Sequence, residues 1–114
     1  MFKELGQIAS LMRQLPKIKE EMERLQERLG AITAEGDAGG GMVHVKVNGR
    51  FEVLACKISD EALADRELLE DLIRAATNQA IERAREKAAE EASKVAGGLG
   101  LPAGIEIPGL RLPD

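Results

Sequence analysis

Between Leu5 and Ile32 the apolar positions fall at Leu5, Ile8, Met12, Leu15, Ile18, Met22, Leu25, Leu29 and Ile32. Steps of three and four alternate, the spacing of a helix that turns one seam toward another helix. The rhythm predicts a helix from about Phe2 to Leu29. One step is short by a residue, and it falls across Pro16. A proline removes a backbone donor and crowds the preceding turn, so a kink or a fresh helix start is expected there. From Pro16 to Leu29 the helix should run straight, with Gly30 ending it.

The period then changes from helical to alternating. Residues 32–36 are a candidate short strand, followed by a turn at Asp37-Ala38-Gly39-Gly40-Gly41. Val43, Val45 and Val47 alternate with His44 and Lys46, which predicts a half-buried strand. Asn48-Gly49 marks a hairpin. A two-residue turn would set Val45 against Glu52 and Val47 against Arg50. A three-residue loop with Gly49 left-handed instead pairs Val45 with Phe51 and Val43 with Val53, which keeps the faces consistent. Beyond Val53 the apolar set moves to Leu54, Cys56 and Ile58, so either a bulge intervenes or both faces are covered; the second would need a partner chain.

A last helix is expected after Asp65 as N-cap, with Glu67 in its first turn. Its buried stripe is Leu69, Leu72, Ile73, Ala76, Ala80, Ala84, Ala88 and Val95. The stripe thins from leucine to alanine, so the far end is expected to be mobile or exposed. Thr77 and Asn78 interrupt the middle as hydrogen-bonding side chains. Gly97-Gly98 should stop the helix. The division of the chain is therefore one α-β-β-β-α domain over 1–98 and a Pro/Gly-rich tail over 99–114. The fold class is α+β, a long N-terminal helix, a small antiparallel three-stranded sheet and a long C-terminal helix.

Composition sharpens this outline. The 114 residues include two Phe, no Trp and no Tyr; 44% are hydrophobic, about a third of these alanine, and 32% are charged. So few large core residues in a chain of paired long helices point to an oligomer. The one cysteine, Cys56, cannot close an intramolecular disulfide. No apolar run is long enough for a signal peptide or a membrane span. A cytoplasmic protein is expected.

Catalytic chemistry is poorly supplied. His44 lies in an alternating strand, where a sheet-surface side chain is the expectation, and Cys56, without a basic partner to activate it, reads as an inert, half-buried thiol. The carboxylates stand at ion-pair spacing along the helices. Gly39-Gly40-Gly41 opens a strand and lacks the Lys-Ser/Thr of a phosphate loop. No enzyme, cofactor, metal or small-molecule substrate is expected.

The basic residues are more informative. Arg13, Lys17, Arg24 and Arg28 are spaced four, seven and four apart, within about 60° of arc on a helix. Arg83, Lys87 and Lys94 repeat four and seven on the last helix. Such rows present cations to a phosphate backbone. Against this, Glu20 with Arg24, Lys17 with Glu21, and Glu90 with Lys94 stand at i, i+4 and can pair along solvated faces. The net charge is −4, and no segment is strongly basic.

Several stretches resemble one family. Leu11-Met12-Arg13-Gln14, Glu20-Glu21-Met22, AEGDAGGGMVHVKVNGR (34–50), KISDEAL (57–63), LLEDLIRAATNQAIERA (68–84) and GLPAGIEIPG (100–109) are similar to the YbaB/EbfC family of bacterial nucleoid-associated proteins. The Gly-rich turn leading into Val-x-Val-x-Val-Asn-Gly is the most specific part, and Pro16 departs from the pattern. The resemblance implies a cytoplasmic, nucleoid-bound homodimer that binds double-stranded DNA, with sheets joined at the centre and helices projecting as tweezer-like arms.

Together, resemblance and residues suggest Arg13, Lys17, Arg24, Arg28, Arg83, Lys87 and Lys94 as phosphate contacts of little sequence specificity. The absence of Trp and Tyr disfavours stacking on single strands. The competing reading is a structural or adaptor protein whose helical arms bind another protein in a recombination or replication context.

Overall fold

The computed structural model describes residues 2–98, with side chains from Leu5 onward. Helix α1 spans Phe2–Ala31, strands β1, β2 and β3 span Thr33–Ala38, Val43–Asn48 and Val53–Ile58, a single turn α2 spans Asp60–Leu63, and helix α3 spans Arg66–Gly98. The sheet is antiparallel in the order β1-β2-β3. This is the expected α+β architecture. The tail over 99–114 lies outside the described residues.

Helix α1 runs unbroken through Pro16, so there is no fresh start at the proline. Pro16 and the residues around it are exposed, and the Met12 carbonyl that loses its donor can turn to water. The helix closes one residue beyond Gly30, with the Ile32 amide donating to the Arg28 carbonyl at 3.1 Å.

Strand β1 extends two residues further than its apolar pattern suggests, to Ala38. The reversal is confined to residues 39–42, where Gly39, Gly40 and Gly41 hold φ of +65°, +67° and +93°. Three successive left-handed residues are tolerable only as glycine.

The β2–β3 register departs from the one anticipated. Val45 lies opposite Cys56 and Val43 opposite Ile58, whereas Val47 faces Val53. The offset is resolved by a bulge between Lys46 and Val47, the first of the two alternatives the sequence left open. Gly49 is not left-handed; Phe51 is, with φ 64°. The Asn48 side chain builds this longer turn, its Oδ1 accepting from the Arg50 amide at 2.9 Å and the Glu52 amide at 3.0 Å.

Helix α3 begins where Asp65 caps it, Oδ1 accepting from the Leu68 amide at 3.1 Å. It continues through Gly97 and Gly98 to the last described residue. Its buried stripe is Leu72, Ala76, Ala80, Ala84, Ala88 and Val95, with Leu69 and Ile73 partly buried. The first part covers Ala34, Val43, Val45 and Val47. The far end is not exposed: Ala88, Ala92 and Val95 pack against Leu25, Leu29 and Ile32 of α1. Alanine thins the stripe because a second helix comes close, not because packing ends.

The sheet is covered unevenly. Helix α3 packs on β1 and β2, leaving Val53, Leu54, Cys56 and Ile58 of β3 exposed. Cys56 is therefore exposed and not half-buried as the alternation implied. The molecule is long and thin, 72 × 21 × 17 Å.

Candidate nucleic-acid interface

Each cation singled out by spacing sits where helix geometry puts it, but their surroundings divide them. On α1, Arg24 is held by Glu20 at 2.7 Å and Glu21 at 3.0 Å. Arg13, Lys17 and Arg28 make no ion pair with another described residue. All four are exposed. Over the fifteen residues from Arg13 to Arg28 the row is about 22 Å long at helical rise, comparable to two-thirds of a DNA helical turn.

On α3, Lys94 pairs with Glu91 at 3.2 Å instead of Glu90. Arg83 and Lys87 turn toward the sheet. Arg83 Nη1 donates to the Glu35 carbonyl at 2.8 Å, and Lys87 Nζ to the Thr33 carbonyl at 2.6 Å. Gln79 continues the series, its Oε1 accepting from the Asp37 amide at 2.8 Å. Four residues of helix rise about 6 Å and two residues of strand about 6.6 Å. The spacing 79-83-87 therefore matches 37-35-33, and one helix face closes the outer edge of β1 rung by rung. An unpaired strand edge is a template for unwanted pairing, and these three side chains occupy part of it.

That fit requires α3 to lie almost on the strand. A Cβ on Gly36 would come within 2.1 Å of the Ala76 carbonyl oxygen and 2.6 Å of the Ala80 nitrogen. Gly36 against Ala76 and Ala80 thus sets the helix height at which Arg83 and Lys87 reach the edge. Spacing alone could not distinguish this from a phosphate-facing row, because both need a cation every four residues.

A second set of hydrogen bonds fixes how α1 leaves the domain. The Gly49 amide donates to the Leu29 carbonyl at 2.8 Å and to the Ile32 carbonyl at 3.1 Å. Arg50 donates from Nε and Nη2 to the Gln26 carbonyl at 3.0 and 2.8 Å. The Gly49 amide so satisfies the Leu29 carbonyl, one of those a helix C-terminus leaves unpaired, while Arg50 grips a carbonyl one turn further into the helix. These residues orient the α1 cations without belonging to them, a role the hairpin signal did not disclose.

The opposite face of the sheet is polar. His44 Nδ1 lies 2.5 Å from Asp37 Oδ1, and Nε2 lies 3.3 Å from Glu35 Oε1. The hydrogen bond to Asp37 first, then that to Glu35, raises the imidazole pKa above its ordinary 6.5. His44 is a sheet-surface side chain, as its alternation suggested.

The row of cations on α1, the partly capped sheet edge and a thin elongated body define a helix-sheet-helix module that presents charged helix surfaces. The sequence profile of the YbaB/EbfC DNA-binding family matches residues 4–99, and the chain belongs to that family. A nucleoid-associated protein of Syntrophobacter fumaroxidans is 48% identical over 101 residues, covering 87% of this chain and 91% of its own. One of Gluconacetobacter diazotrophicus is 46% identical over 104 residues, covering 89% and 96%. The crystal structure of an uncharacterized Helicobacter pylori protein superposes with a TM-score of 0.67 at 28% identity, covering 85% of this chain and 98% of the other. Among the described residues no helix is long and apolar enough to cross a membrane.

Proposed function

We propose that this chain is a nucleoid-associated protein that binds double-stranded DNA as a homodimer, with little sequence preference, in the cytoplasm. The observation that carries the reading is the row Arg13, Lys17, Arg24 and Arg28 on α1, a helix that projects from the sheet in a member of a DNA-binding family. Phosphate contacts from such a row position a duplex without reading it. Arg83, Lys87 and Lys94 add positive potential, although the first two commit hydrogen bonds to β1.

The homodimer reading is supported by the uncovered strand. Val53 and Leu54 are more than half exposed, Ile58 is exposed on the same strand, and Leu63 and Leu68 are exposed in the helices that follow it. Apolar surface of this kind marks an interface. A second copy joined there would double the cation rows, which compensates for the modest charge of each.

Fluorescence anisotropy of a labelled ~30-bp duplex, titrated at two salt concentrations, tests DNA binding. A steep fall of affinity with salt, and loss of signal to unrelated duplexes, supports it. No binding at low salt overturns it. Light scattering of the wild type and of a Leu54→Asp, Ile58→Asp variant tests the interface; a dimeric variant would refute this surface.

A further inference from the structure

Helix α1 outruns the helix it packs on. Lys87 stands beside Thr33 and Val95 clusters with Leu25, so α1 and α3 run antiparallel, and Gly98, the last described residue of α3, lies level with Met22. Beyond that level residues 5–17 of α1 are exposed, Ala9 alone being partly covered.

The exposed stretch has two unlike faces. Leu5, Ile8, Leu11, Met12 and Leu15 are each 50–63% exposed and fall within about 120° of one another around the helix. Arg13, Lys17, Arg24 and Arg28 fall within about 60°, and the centres of the two sets are about 170° apart. One side of the arm is therefore a cation row and the opposite side is apolar. Exposed leucines scattered singly need no explanation, but a contiguous stripe marks a contact.

The spacing of the stripe selects its occupant. Leu5, Ile8, Met12 and Leu15 step three, four and three, the a and d positions of two heptads, which seat on another helix. The next position of the series is Lys19, which ends it. Run antiparallel about Ser10, the series is complementary to itself: Leu5 meets the partner's Leu15, Ile8 meets the partner's Met12, and every a position meets a d position. Such a contact is isologous, closed by a two-fold axis. The flanking Ala9 and Leu11 carry no charge, so the two-fold opposes no like charges beside the seam. Side chains of this size at 50–63% exposure each offer about 100 Å². Five from each copy bring roughly 1,000 Å² together, the area at which a specific interface begins. A lipid surface fits less well, since Arg13 and Lys17 lie on the far side of the helix instead of flanking the apolar face.

We propose that the N-terminal arms of two copies pair antiparallel through this stripe, back to back, so that their cation rows face outward and bridge two duplexes. The pairing stands on the stripe; the bridging rests on the DNA-binding reading above.

The test uses full-length chains in a Cys56→Ser background. Equimolar Leu5→Cys and Leu15→Cys chains, mixed and oxidised without DNA, should form the mixed disulfide in preference to either like pair. Ser10→Cys, at the two-fold but on the cation side, should form none. An excess of like pairs, or no mixed disulfide, overturns the pairing. For bridging, a bead-held duplex should capture a second, fluorescent duplex through the wild type. Ile8→Gln combined with Met12→Gln is neutral and favours helix. It should keep the helix content by circular dichroism and the affinity for a single duplex by anisotropy, yet lose the capture. Capture that survives in this variant overturns bridging through the stripe. A chain that binds no duplex at all would strike the proposed function and the bridging with it, while the disulfide would still decide the pairing.

Discussion

Arg50 reaches back across 24 residues to clasp the carbonyl oxygen of Gln26 with both Nε and Nη2, at 3.0 and 2.8 Å. The carbonyl belongs to the last turns of α1, and its neighbour Leu29 is held by the Gly49 amide. Two adjacent residues of the hairpin thereby fix the departure angle of the arm. Arg50→Ala should destabilise the fold by about 1.5 kcal/mol, the low end for a charge-assisted hydrogen bond, because the guanidinium is exposed. Gly49→Ala should cost more, about 2–3 kcal/mol, since its Cβ would stand 2.6 Å from the Leu29 carbonyl oxygen, a backbone atom that cannot swing aside. Urea denaturation of both variants checks the order. Equal midpoints for Gly49→Ala and wild type would mean that the turn does not bear on α1.

Gly36 is the second pivot. With a Cβ 2.1 Å from the Ala76 carbonyl, Gly36→Ala should lift α3 and cost about 3 kcal/mol or more, as overpacking against rigid backbone does. Lifting the helix also stretches the rungs from Arg83 and Lys87 to β1. The variant should therefore lose amide protection at Asp37, whose hydrogen bond to Gln79 belongs to the same ladder. Hydrogen exchange measures that directly, and unchanged protection at Asp37 would refute the coupling.

Much of this architecture was legible from periodicity. The change from 3–4 steps to alternation located the helices and the sheet, and Asp65 announced the start of α3. What escaped depended on long-range packing. Gly49 looked like a turn glycine, yet its smallness serves approach to Leu29, and the left-handed residue is Phe51. The alanines of α3 looked like a fading core, because a partner helix about 60 residues away in sequence leaves no trace in a local pattern. Arg83 and Lys87 carried the same spacing as Lys17 and Arg13. Only the sheet edge beside them separates the two pairs.

That separation makes a prediction about binding. Lys17→Glu and Arg28→Glu remove cations that make no ion pair with described residues. They should weaken duplex binding strongly and lower the salt slope by about 0.9 for each phosphate no longer neutralised, with little change in thermal midpoint. Arg83→Gln and Lys87→Met instead remove donors to β1 carbonyls. Each should lower stability by about 1 kcal/mol, with a smaller effect on the salt slope. Parallel melts and salt titrations distinguish the groups. If all four variants moved affinity alike and left the melts unchanged, the rungs would be incidental and the α3 row would be an equal part of the DNA surface.

His44 carries the pH dependence. Asp37 and Glu35 hold its charged form on the solvent face of the sheet and raise its pKa above 6.5, while Lys57 stands opposite on β3 and Lys46 on the same face. A group whose folded pKa exceeds its unfolded one contributes stability that is fully present below the unfolded value and is lost as pH rises through the folded value. The contribution should therefore be present below about pH 6.5 and fade as the pH rises through the raised value of the folded imidazole. The gap in melting temperature between wild type and His44→Gln should thus be wider below about pH 6.5 and narrow as the pH rises above it, once the imidazole loses its charge in the folded as well as the unfolded chain. A gap that is constant across this range would show that His44 contributes only through packing. An NMR titration of the His44 ring adds an independent check, because its midpoint must lie above 6.5 in the wild type and fall in Asp37→Asn, the partner with the larger influence.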